Sequence, residues 1–213
     1  RGTKIHPGNN VGIGGDGRTV RKLLFCVPMM ILLLSACTGG AEGNEAEELA
    51  LQIRGEYLAM SSCAGQAAIT ADYGQRVYQY ELAVAVDGEE TTLTLSAPDT
   101  VAGITARVTG QDGQLEYDGL SVETGPLDPE GLSPVSAVPA LLEGARSGYI
   151  VSCALEEDGA LLRMDCGDPE GTPGTGSEVS LWFDTSTHAL SRGEISVDGF
   201  RAILCEFTDF AMS

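Results

Sequence analysis

Chemistry in a 213-residue chain with two histidines, six cysteines and 31 carboxylates would have to be nucleophilic, acid–base or metal-assisted. Nucleophilic acyl transfer needs a serine or cysteine on a sharp turn with a base in hydrogen-bond reach. No Gly-x-Ser-x-Gly occurs, His6 lies in the leader, and His188 ends the polar run Asp184-Thr185-Ser186-Thr187-His188, where it reads as a solvated turn residue. Paired-carboxylate hydrolysis needs two carboxyls about 5–9 Å apart across a cleft, and an abundance of Asp and Glu does not supply that. No Cys-x-x-Cys or Cys/His cluster has the spacing of a zinc site. Gly12-Ile13-Gly14-Gly15-Asp16-Gly17 matches a dinucleotide-binding glycine loop, but such a loop follows a strand and opens a helix in a βαβ unit. Here an apolar leader follows, and the match is accidental. The sequence therefore predicts no enzyme, no cofactor and no metal site.

The chemistry that does show is a modification. Arg21 and Lys22 open a cationic stretch, and Leu23 to Ala36 are then fourteen uncharged residues. A spanning helix needs roughly 20 apolar residues, so this run fits the core of a secretory signal, about 7–15 residues long. Leu34-Ser35-Ala36-Cys37 resembles the lipobox of bacterial lipoproteins. The resemblance implies that the Cys37 thiol takes a diacylglyceryl group and that cleavage before it leaves Cys37 as the new N-terminus. An ordinary secretory signal that contains a cysteine is the alternative. Residues 1–36 thus read as a spurious N-terminal extension plus a lipoprotein signal peptide, with the start expected near Val20. The implied location is the extracytoplasmic face of the cell membrane, held there by lipid.

Beyond Cys37 the chain carries thirty acidic residues against seven arginines and no lysine, a net charge of −23. No basic patch exists to release counterions, which excludes nucleic acid as a partner, and acyl chains rather than electrostatics must hold the protein at the membrane. Residues 37–46 read as the lipidated cysteine and a flexible Gly/Glu-rich tether. Cys63, Cys153, Cys166 and Cys205 remain, an even number in an extracytoplasmic chain. They are either two disulfides of undetermined pairing or four buried thiols.

The elements behind the tether are α+β. Asn44 with Glu47 resembles a capping box, opening a helix to about Met60 with Leu49, Ile53, Tyr57 and Met60 on one face. The period then changes to two: Tyr78, Tyr80, Leu82, Val84 and Val86; Leu93 and Leu95; Ile104, Ala106 and Val108; Leu115 and Tyr117; Leu120 and Val122. Such alternation marks strands buried on one face. Asp87-Gly88, Asp112-Gly113, Asp118-Gly119, Asp158-Gly159 and Asp198-Gly199 are hairpin-turn dipeptides, so the strands form an antiparallel meander. Ser133-Pro134 and Val138-Pro139 open a helical insertion that Gly148 stops. Strands resume at Tyr149–Glu156 and Ala160–Cys166, a mobile Gly/Pro loop covers 167–177, and Val179–Asp184, Leu190–Val197 and Phe200–Phe210 close the chain.

This order, with the closing strands Leu181-Trp182-Phe183-Asp184, Glu194-Ile195-Ser196-Val197-Asp198-Gly199-Phe200 and Glu206-Phe207-Thr208-Asp209-Phe210, resembles the LolA/LppX-type lipoprotein-localisation fold, and more narrowly the LolA-like lipoproteins of Gram-positive, clostridia-like bacteria. The resemblance covers roughly residues 45–211. It implies an antiparallel half-barrel over residues 47–213, wrapped around helices and leaving an apolar concavity for acyl chains or a partner segment. Tyr78, Tyr80, Tyr117 and Trp182 are the candidates to line that concavity, or are plain core. The soluble chaperone of the family shuttles between membranes, which a protein tethered through Cys37 cannot do. Two functions stay open: a module holding a lipid or other apolar ligand, and an adaptor docking an envelope, cell-wall, sporulation or germination protein.

Overall fold

Apolar side chains at every second position set most of this chain in strands. The computed structural model describes residues 39–213 and orders eleven strands in one antiparallel sheet. Helix α1 (Gly39–Ala59) precedes β1 (Ser62–Asp72), β2 (Val77–Asp87), β3 (Glu90–Ala97), β4 (Thr105–Thr109), β5 (Asp112–Tyr117) and β6 (Leu120–Pro126). Helix α2 (Pro134–Ser147) then leads to β7 (Ile150–Glu156), β8 (Leu161–Cys166), β9 (Ser177–Asp184), β10 (Leu190–Val197) and β11 (Phe200–Met212). The spatial order is β6-β5-β4-β3-β2-β1-β11-β10-β9-β8-β7. Two meanders meet where β1 pairs with β11, Ile69 opposite Cys205, while β6 and β7 are left as edges. The fold is α+β, an open antiparallel half-barrel with a leading helix and a helical insertion: the alternation and turns indicate the antiparallel meander, and the resemblance implies the half-barrel.

Strand β1 was not foreseen. Its sequence, Ser-Cys-Ala-Gly-Gln-Ala-Ala-Ile-Thr-Ala-Asp, is poor in β-branched and aromatic residues, yet it pairs on both sides at the middle of the sheet. Its inward residues Ala67, Ile69 and Ala71 are buried. Helix α1 also begins earlier than the Asn44 signal suggested, inside the segment read as tether. Asn44 Nδ2 donates to Glu48 Oε1 (3.1 Å) one turn on rather than capping a start, and the buried stripe is Ala46, Ala50, Ile53 and Tyr57. Of the Asp-Gly pairs, Asp118-Gly119, Asp158-Gly159 and Asp198-Gly199 have both residues at positive φ (50° and 75°, 54° and 88°, 50° and 74°). Asp112-Gly113 instead lies within β5, and the turn before it is at Gly110-Gln111.

Both helices cover one face of the sheet. Tyr57 meets the Phe183 ring edge-on at 5.2 Å and stacks over Phe210 at 6.3 Å. Ser133 caps α2 reciprocally with Ser136: Ser136 N donates to Ser133 Oγ (3.2 Å) and Ser133 N to Ser136 Oγ (3.1 Å). Ala137, Val138, Leu141, Leu142 and Ala145 are buried beneath α2. Gly193 on β10 lets α2 sit this close, because a Cβ there would lie 2.6 Å from Leu141 Cδ1.

The two helix C-termini meet, and each is closed by an arginine of the other. Arg54 of α1 donates from Nε to Ala145 O and from Nη2 to Gly144 O, both at 3.3 Å. Arg146 of α2 donates from Nε to Tyr57 O (3.3 Å). The last carbonyls of a helix lack intrahelical partners and carry the negative end of its dipole, so a guanidinium satisfies both needs.

Candidate ligand cleft

One face of α2 is left uncovered by the sheet and forms a wall. Ser136, Pro139, Ala140, Glu143 and Arg146 recur there at helical spacing, facing the β2–β3 turn (Gly88, Glu89), the β4–β5 turn (Gly110, Gln111) and the chain leaving β6 (Leu127, Asp128, Pro129). Between them lies a cleft of about 610 Å³. Val108, Leu127, Pro129, Pro139, Ala140 and Leu142 make its apolar lining, and Glu89, Asp128, Glu143 and Arg146 supply charge. Asp128 is held by its own loop: Oδ1 accepts from Glu130 N (3.0 Å) and Oδ2 from Leu132 N (2.8 Å). Arg146 is anchored through Nε to the end of α1. Small-molecule sites usually combine apolar lining with a few fixed polar groups; here six apolar side chains share the cleft with seven polar or charged ones.

None of the four aromatic candidates lines this cleft. Tyr78 and Tyr80 do face inward, but at the start of β2, roughly 30 Å of strand from the Gly88 turn. They stack on one another (6.5 Å), with Tyr73 6.0 Å from Tyr78 and its hydroxyl donating to Leu132 O (2.8 Å). Tyr117 is inward but exposed, near the tip of the β5–β6 hairpin. Trp182 is on the other face of the sheet, which corrects its place among the cavity residues. Tyr78, Ala71, Ile203, Ile195 and Val179 oppose one another across five strands, so Leu181 and Phe183 point inward with Val179, and Trp182 between them points out. There the ring lies between Arg163 (5.2 Å) and Arg192 (4.7 Å) and donates from Nε1 to Glu156 Oε2 (2.8 Å). Arg163 also pairs with Asp165 (2.9 Å), and Arg192 and Arg201 share Glu194.

His188 is no solvated turn residue. Its Nδ1 lies 2.7 Å from Glu56 Oε2 on α1, and its carbonyl accepts from Tyr57 Oη (3.2 Å). It adopts φ 59° and fastens the β9–β10 turn to the helix. The hydrogen bond from His188 lowers the Glu56 pKa. At the same turn, hydrogen bonds from the Ser186 hydroxyl and from Thr187 hold the Asp184 carboxyl down to about 2. No serine or cysteine accompanies His188 in the hydrogen bonds it makes.

The four cysteines are unpaired thiols in this structure. Cys205 opposes Ile69, six residues and so roughly 20 Å along β1 from Cys63. Cys153 and Cys166 are on neighbouring strands, but they face Met164 and Ile150 rather than each other. Burial pushes the Cys205 thiol up to about 12 and Cys63 to about 11, leaving them protonated and inert. Cys37 and the Leu34-Ser35-Ala36 stretch before it lie outside the described residues. Among the described residues no group of histidines, cysteines and carboxylates is arranged to hold a metal, and no helix is long and apolar enough to cross a membrane.

No family model matches the sequence, and no curated protein does. Solved structures similar to this chain include a LolA superfamily protein of Nitrosomonas europaea (11% identity, 79% of this chain and 93% of that one, TM-score 0.42). Another is the lipoprotein LppX of Mycobacterium tuberculosis (14% identity, 78% and 93%, TM-score 0.41). A third is a chain from the complex of the CwlD amidase of Clostridioides difficile with the GerS lipoprotein (14% identity, 78% and 94%, TM-score 0.45).

Proposed function

We propose that this chain is a lipid-anchored, extracytoplasmic, non-catalytic binding protein with a LolA-like domain, and that the cleft under α2 holds a lipid or other apolar ligand. The observation that carries the reading is the cleft itself: about 610 Å³, with six aliphatic or proline side chains in its lining and the Arg146 guanidinium at its border. An apolar body would bury against Val108, Leu127 and Leu142, with any anionic head toward Arg146. The lipobox-like Leu34-Ser35-Ala36-Cys37 supports the anchor, and the −23 charge supports attachment through acyl chains. A fluorescent fatty acid tests the cleft. The protein should bind it, and Gln111→Trp, a change at an exposed turn residue on the mouth, should weaken binding at least tenfold without altering thermal unfolding. Unchanged affinity in that variant removes the cleft from the account.

A second reading, an adaptor that docks an envelope, cell-wall, sporulation or germination protein, is favoured by one observation. The β5–β6 hairpin leaves Tyr117, Leu120 and Val122 uncovered. Recovery of a stoichiometric protein on pull-down from native membranes supports it, and recovery of lipid alone counts against it.

A further inference from the structure

The β5–β6 hairpin begins and ends at the cleft, but its tip at Asp118-Gly119 is at the far end. Its register sets Leu115 opposite Val122 and Tyr117 opposite Leu120, and Leu115 opposite the buried Ala106 of β4, so these side chains continue the inner face of the sheet. The helices do not reach them: Leu120 is 73% exposed, Val122 62% and Tyr117 56%. Among the described residues strand β6 pairs with β5 alone, which leaves one side of its backbone without a strand partner there. Edge strands are ordinarily blunted by lysine, proline, inward charge or a bulge; in β6 the proline and the bulge fall at its end, at Pro126 and beside Gly113, and Leu120 to Glu123 carries no lysine, proline or inward charge. A register shift beside Gly113 still leaves four regular pairs, from Gln114–Glu123 to Tyr117–Leu120.

Charge selects the occupant. Residues 112–126 carry Asp112, Glu116, Asp118 and Glu123 and no basic residue, within a domain at −23. A second copy would bring like charges edge to edge, which is destabilising across a sheet. We propose that β6 is a docking edge for an extended segment of a basic partner polypeptide. The segment adds a twelfth strand, its alternate apolar side chains lying beside Leu120 and Val122 and its Lys or Arg side chains beside Glu123. Backbone hydrogen bonds give such added strands their affinity, and alternate side chains give them specificity. This gives the adaptor reading a surface and is independent of the cleft.

Hydrogen exchange of the whole protein tests it with two ten-residue peptides, one alternating Lys and Val and the other Glu and Val. Addition of the Lys/Val peptide should slow exchange of Leu120–Gly125 amides at least tenfold, and the Glu/Val peptide should leave them unchanged. The variant Leu120→Lys/Val122→Lys changes two exposed side chains and should weaken the peptide at least tenfold with exchange elsewhere unaltered. Protection by neither peptide or by both equally overturns the proposal. So does protection of β6 in the free protein through a dimer, or by phosphatidylcholine vesicles in place of the peptide. A native partner still recovered with the double variant places docking elsewhere and leaves the adaptor reading itself intact.

Discussion

Arg54 and Arg146 show how a domain with seven arginines and no lysine uses them. Each closes the end of the other helix, a role that no spacing rule signals because the partners are some ninety residues apart. Replacing Arg54 by alanine leaves Ala145 O, and replacing Arg146 leaves Tyr57 O, without its side-chain donor, and either should destabilise the fold by about 1–3 kcal/mol, read as a lower denaturant midpoint at unchanged slope. The carboxylate Asp184 makes a second prediction. A group held below its unfolded pKa contributes stability above that unfolded value and loses it as pH falls through the folded one. Asp184 drops from 3.8 to about 2 because Ser186 and Thr187 donate to it. Asp184→Asn should therefore destabilise at neutral pH, with the deficit shrinking between about pH 4 and pH 2. Equal deficits at pH 7 and pH 2 contradict that role. His188 was legible only as a polar residue in a turn; its partner Glu56 is 132 residues away, and only the fold brings them together.

Among the elements, those with strong period-two or period-3.6 patterns were legible, and those built from small residues were not. Strand β2 alternates Tyr, Leu and Val and was plain. Strand β1 lines the same inner face with Ala67 and Ala71, whose short side chains give little hydrophobic signal. The candidate aromatic set failed at Trp182 for a related reason: aromatic identity says nothing of which face a strand residue takes, and parity counted across the register does. The cleft was invisible because it is made by turns and by the flank of α2, which periodicity does not describe. Gly193 measures how tightly α2 is seated. Gly193→Ala puts a methyl within 2.6 Å of Leu141 Cδ1 and should destabilise by about 1–3 kcal/mol, the usual range for overpacking. Gly193→Ala/Leu141→Ala should recover part of that loss, and a double variant showing the simple sum of the two losses denies the contact.

At the scale of the molecule, the chain pairs its first strand with its last and sends α2 between the two edges, β6 and β7. That layout buries one face under two helices and leaves the sheet open, with a cleft on one flank of α2 and, among the described residues, an unpaired edge at β6. Alternating strands and Asp-Gly turns made the antiparallel class legible. The order of the strands in space was not, since nothing local joins β1 to β11. The acidic surface repels anionic headgroups, so the proposed membrane attachment rests on Cys37. Native mass spectrometry of the protein released gently from its membrane tests the account as a whole. It should give a chain beginning at Cys37 with covalent acyl mass and a non-covalent apolar ligand that Gln111→Trp lacks. A protein without acyl mass, or a ligand retained undiminished by Gln111→Trp, contradicts it.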